Sequence, residues 1–182
     1  MSVEWNIHTM SIQNLGPLLV VGESTGSIGL DGELDFHAAL NNMATQAKRS
    51  VKIFTQELDP ELYDQPEFLK IMSDIGRNRQ RCKIQILIQS PEKAARSGHR
   101  LIELQKRLTS AIQIHSIPED EINNNEEFMV VDEIAITRRF SMGFMHGNCE
   151  FKAIPDAQKK SRFFDLTWQK SHPCQEFRRL GM

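Results

Sequence analysis

Through the first 115 residues, apolar runs of strand period alternate with apolar stripes of helical period, and this alternation restricts the fold more than any other feature. From Asp35 onward, Phe36, Ala39, Leu40, Met43, Ala44 and Ala47 recur on one helix face. Val51 to Thr55 follows as a strand. Asp64 is placed to cap the next helix, with Glu67 three residues on, Pro66 in its first turn and Gly76 suited to its end. Phe68, Leu69, Met72 and Ile75 form its buried face. Cys82 to Ile88 becomes wholly apolar, as a strand covered on both sides does, and Ser90-Pro91 breaks it. A helix from about Gly98 to Thr109 and a strand from Ala111 to Ser116 close the series. Near the start, Leu18 to Val21 reads as a short strand and Gly22 to Gly29 as a loop whose glycines fit no phosphate-binding spacing. The pattern predicts an α/β architecture with a largely parallel sheet and helices on both faces. Binding loops are then expected beyond the carboxyl ends of the strands.

A chain of 182 residues suits one such core, and the boundaries read as an arm at 1–15, a single domain at 16–170 and a tail at 171–182. The 22 basic and 24 acidic residues give a net charge of -2, which argues against a dominant nucleic-acid or anionic-membrane surface but leaves room for a local basic patch. Arg77, Arg79, Arg81 and Lys83 form one basic cluster and Lys159, Lys160 and Arg162 another, both without the interleaved aromatics that stack on bases. A nucleic-acid partner therefore has thin support. Cys82, Cys149 and Cys174 make neither a metal-ligand pair nor a disulfide framework, which fits a reducing compartment. Met1 to Trp5 shows no basic leader before an apolar stretch, and no apolar run approaches membrane-spanning length. The expectation is a cytoplasmic protein without a membrane span.

The second half changes character. Phe128 to Asp132 and Ile134 to Arg138 read as strands around a tight turn at Asp132-Glu133, Cys149 to Ala153 as a further strand, and Asp156 to Gln169 as the last helix. The segment Asn125-Glu126-Glu127-Phe128-Met129-Val130-Val131-Asp132, running into Ile134 to Thr137, resembles the phospholipase D signature His-x-Lys-x-x-x-x-Asp. Phe163 to Trp168 looks like the closing helix of that family. The likeness is to the frame and not to the chemistry. Asn125 stands where the family has its nucleophilic histidine and Glu127 where it has its phosphate-binding lysine, while Asp132 is as expected. An asparagine amide is no nucleophile at phosphorus, and a glutamate repels phosphate. Arg138 and Arg139 replace the family's Gly-Ser, which allows close backbone approach. The resemblance thus implies a phospholipase D-like mixed sheet without hydrolysis. Active relatives bring two motifs together, so one degenerate copy implies a unit that pairs, and a homodimer is expected. The sequence also resembles a little-characterised bacterial domain sometimes attached behind an acetyltransferase domain, through Thr55 to Asp64 and Gly98 to Leu104.

Candidate site residues lie on the rim. His99 and Arg100 open a helix, Arg96 lies in the connection before it, and together they suggest an anion site for a phosphorylated small molecule. Asp59, Tyr63 and Asp64 follow the strand that ends at Thr55, and either aspartate is within topological reach of Arg100. Their bland reading is turn and cap chemistry. No metal or cofactor is expected, because Glu126, Glu127, Asp132 and Glu133 lack accompanying histidine or cysteine at ligand spacing. His146 and Cys149, three residues apart before a strand, make a poor nucleophile pair. Two functions follow: a non-catalytic binding or oligomerisation module, or an enzyme of unknown reaction with His99 as base and Asp59 or Asp64 as its partner.

Overall fold

The computed structural model describes residues 11–79, 81–118, 126–141 and 143–177. A helical turn at Ile12–Leu15 (α1) and a short 3-10 segment at Gly16–Leu18 precede the first strand. Strands β1 (Ile28–Asp31), β2 (Ser50–Thr55), β3 (Lys83–Ile88) and β4 (Ile112–Ser116) are separated by helices α2 (Glu33–Thr45), α3 (Pro60–Tyr63), α4 (Pro66–Asn78), α5 (Pro91–Ser97) and α6 (Arg100–Arg107). Then come β5 (Glu127–Val131), β6 (Ala135–Arg139), β7 (His146–Glu150), α7 (Ile154–Lys170) and β8 (His172–Pro173). The eight strands form one sheet in the order β1-β7-β6-β5-β2-β3-β4-β8.

The mixed α/β sheet is as expected, but its parallel part is smaller. Only β2-β3 and β3-β4 pair in parallel, and the remaining neighbours are antiparallel. The reason is local. Helices intervene between β2, β3 and β4, whereas β5, β6 and β7 pair as sequential antiparallel neighbours. Leu18 to Val21 is not a strand; β1 forms instead at Ile28–Asp31, beginning in the last two residues of the segment expected as a loop. It pairs with β7, so a partner distant in sequence overrode weak local patterning.

Both faces are covered. Val51, Ile53, Ile84, Ile86, Met129 and Val131 point into the core beneath α2, α4 and α6. Phe54, Leu87, Phe128, Val130 and Ile136 point the other way, onto Ala157 and Phe164 of α7. Phe54 and Phe128 stack there with centroids 5.2 Å apart. Ile12 and Leu15 are buried, and Cys174 and Phe177 join the core after β8, where a tail was expected.

Candidate functional site

Strand alternation decides which side chains meet. Glu127 lies directly opposite Arg139 in the β5–β6 register, on the same face as Met129 and Val131. Both are buried, with 2% and 4% exposure. Arg139 Nη1 donates to Glu127 Oε2 at 3.1 Å and to Asp59 Oδ2 at 2.9 Å, while its Nε donates to the Phe144 carbonyl at 3.0 Å. The other Glu127 oxygen accepts from the Thr55 hydroxyl and the Gln56 N–H, both at 2.7 Å. Asp59 spends its second oxygen on the N–H of Glu61, capping α3. Burial opposes the charge on Arg139, yet Glu127 and Asp59 outweigh it and its pKa is raised. Burial pushes the adjacent Tyr63 phenol far up, and the Glu127 charge adds to the effect.

This cluster floors a cleft of about 530 Å³ at the carboxyl end of β2, lined among others by Glu57, Asp59, Glu61, Lys93, Arg139 and Met145. Lys93 is paired with Glu57 at 2.6 Å. Among the described residues the cleft wall offers a phosphate no unengaged cation, and Arg139 is already spread over three oxygens. Phe140 and Phe144, 49% and 70% exposed, stand on the β6–β7 connection beside it.

The predicted rim residues fall into two groups. Asp59 and Tyr63 join the Arg139 cluster. Asp64 does not cap α4, whose N-cap is Gln65; it receives Arg100 Nε at 2.6 Å and the Arg100 N–H at 3.2 Å. His99 caps α6, its Nδ1 accepting from Leu101 N–H at 3.2 Å and lying 4.0 Å from Asp64 Oδ2. Its side chain is fully buried, and burial lowers its pKa despite the neighbouring carboxylate. The N–H groups that would greet an anion at α6 are thus held by the chain's own side chains. Arg96 is not with them; it borders a shallow depression with Glu92, Gln175 and Glu176.

The motif frame divides similarly. Asn125 lies outside the described residues. Glu127 and Asp132 sit at opposite ends of β5. The Asp132 carboxylate accepts from the N–H groups of Lys48, Arg49 and Ser50 at 2.9, 2.7 and 2.9 Å, tying the β5–β6 turn to the start of β2. Asp132 and Glu133 both have positive φ, 55° and 61°, as this turn demands. Arg138 faces α7 and binds Glu150 and Asp156 at 2.9 and 2.8 Å. Cys149 is buried in the core with its thiol pushed up to about 12 by burial, while His146 is exposed, so the two form no nucleophile pair. Among the described residues no three His, Cys, Asp or Glu side chains are placed to hold a metal, and no helix is long and apolar enough to cross a membrane.

The sequence reading missed Arg139 as a partner for Glu127, having weighed it only as a bulky replacement. The signal was present: a hairpin turning at Asp132-Glu133 brings position 127 opposite 139.

Solved structures of phospholipase D type share this mixed α/β fold. Nuc from Salmonella typhimurium, a phospholipase D family member, superposes with a TM-score of 0.62 at 11% identity, over 83% of this chain and 99% of that one. NucT from Helicobacter pylori gives 0.60 at 10% identity, over 83% and 100%. TrmBL2, an archaeal chromatin protein described as showing a novel mode of DNA binding, gives 0.60 at 11% identity over 90% of this chain; the match spans 59% of TrmBL2. The chain itself belongs to the family DUF7931, a domain of unknown function, whose model matches residues 33–180. No curated protein matches it by sequence.

Proposed function

We propose that this chain is a phospholipase D-like module that works by association and not by hydrolysis. The observation that carries the reading is the buried Glu127–Arg139–Asp59 cluster. By the sequence resemblance, Glu127 stands at the family's lysine position and Arg139 at its small serine position. A phosphodiester entering from the rim meets fixed negative charge. Arg100 is engaged by Asp64, which weakens the phosphate form of the proposal. Pairing with a second copy fits the rim better, because Phe140 and Phe144 present apolar surface beside the cleft. The alternative, catalysis through His99, requires a base that is open to substrate, and His99 is sealed into a helix cap.

Sedimentation velocity tests the reading. A dimer at micromolar concentration is expected, shifting toward monomer in Phe140→Ser/Phe144→Asp. A wild-type monomer at high micromolar concentration overturns the association half. Turnover of a chromogenic phosphodiester that disappears in Glu127→Gln overturns the non-catalytic half.

A further inference from the structure

A second cleft, of about 800 Å³, opens at the opposite end of the sheet, where β2 and β3 begin. Val20, Val21 and Ile134 form an apolar wall, and Lys48, Arg79 and Arg81 supply charge. Two acids also line it, Glu23 and Asp132. Asp132 is already satisfied by three backbone N–H groups, so the start of β2 is an anion-binding nest filled from within. Arg79 is fixed: its Nη1 donates to the carbonyls of Thr45 and Ala47 at 2.9 and 2.7 Å, and its Nη2 lies 3.6 Å from Asp74. Lys48 and Arg81 are exposed, and among the described residues neither is in an ion pair. Arg49, Arg77 and Lys83 continue the positive charge along the same end, and they too lack a carboxylate partner among the described residues.

We propose that this amino-end cleft binds a phosphodiester backbone, reading charge and not sequence. The cations are spread across the starts of two neighbouring strands and do not converge on one point. That spacing suits a repeating anion better than a single small one. A concave wall suits a ridge such as a nucleic-acid strand better than a flat bilayer. Among the described residues no aromatic lines the cleft, so base stacking adds nothing and no preference for sequence is expected.

Fluorescence anisotropy with labelled oligonucleotides, as duplex DNA, single-stranded DNA and single-stranded RNA, tests the proposal at 50 to 200 mM salt. Three phosphates neutralised by Lys48, Arg49 and Arg81 give a slope of log K against log salt of about -2 to -3. Lys48→Glu/Arg81→Glu is expected to weaken binding on the order of tenfold or more and to flatten the slope by about two. Its circular dichroism and unfolding midpoint are expected to match the wild type. Lys159→Glu/Arg162→Glu makes the same charge change on α7 and is expected to bind as the wild type does. Binding to any of the three probes with this variant pattern supports the site, and the arm that binds most tightly identifies the strand type. Absence of binding to all three at 50 mM salt overturns it. Equal loss in both double variants overturns it, since net charge alone then explains the attraction. Binding of anionic phospholipid vesicles through Lys48 and Arg81, with no oligonucleotide bound, also overturns it.

Discussion

Replacing Arg139 with methionine removes the one cation shared by Glu127 and Asp59. Methionine keeps much of the aliphatic volume, so the cost is mainly electrostatic. Breaking a buried ion pair from one side costs roughly 3–5 kcal/mol, because the remaining charge stays buried without compensation. Glu127 keeps its hydrogen bonds from Thr55 and Gln56, and Asp59 keeps the Glu61 N–H. Those surviving donors put the expected loss near the lower end, about 3 kcal/mol. With a urea slope of about 2–3 kcal/mol/M, the unfolding midpoint is expected to fall by about 1–1.5 M. Glu127→Gln removes the second charge while its amide oxygen still accepts from Thr55 and Gln56. The double variant Glu127→Gln/Arg139→Met is therefore expected to recover about 2 kcal/mol relative to additivity. A loss below about 1 kcal/mol in Arg139→Met, or additive costs in the cycle, refutes the buried cluster as drawn.

Asp132→Ala removes the acceptor for three consecutive amides and is expected to cost about 3 kcal/mol; hydrogen exchange at Lys48, Arg49 and Ser50 should accelerate, and unchanged protection would contradict the tether. Burial lowers the pKa of His99 and of His115 below the ordinary 6.5, so below that value the unfolded chain binds more protons and stability is lost as pH falls. Thermal midpoints at pH 7.5 and 5.5 should show that drop, reduced in His99→Asn, where the amide can still cap α6. In Gly147→Ala the new Cβ would lie 1.9 Å from the Arg138 carbonyl oxygen, so β6 and β7 must separate. A cost of at least about 3 kcal/mol or loss of soluble protein is expected, and a wild-type denaturation curve would disprove that close approach.

The central helices and strands were legible because their side chains carry the periodicity. Phe36 to Ala47 and Ile84 to Ile88 declare a face without reference to the rest of the chain. β1 was not legible, since Ile28-Gly29-Leu30-Asp31 becomes a strand only beside β7. The extent of antiparallel pairing was hidden for the same reason: hydrogen-bond partners across a sheet leave little local trace. At the site, the charge at Glu127 and the reach of Asp64 to Arg100 could be read, while the Glu127–Arg139–Asp59 contact depends on hairpin register and on a loop brought in after β2. Asp64 looked like a cap for the helix that follows it, and instead it serves α6, over thirty residues on. Pairing of that kind is fixed by tertiary geometry, which helix signals do not encode.

The two ends of the sheet restrict how copies of this chain can meet. β8 is two residues long, and Pro173 has no N–H to offer a neighbour. β1 is four residues long at the other end. Neither offers the long row of unpaired backbone groups that recruits a foreign strand. Among the described residues the border strands are short, so they give a foreign strand few backbone groups to pair with. The proposed pairing of two copies would then rest on side-chain surfaces such as Phe140 and Phe144.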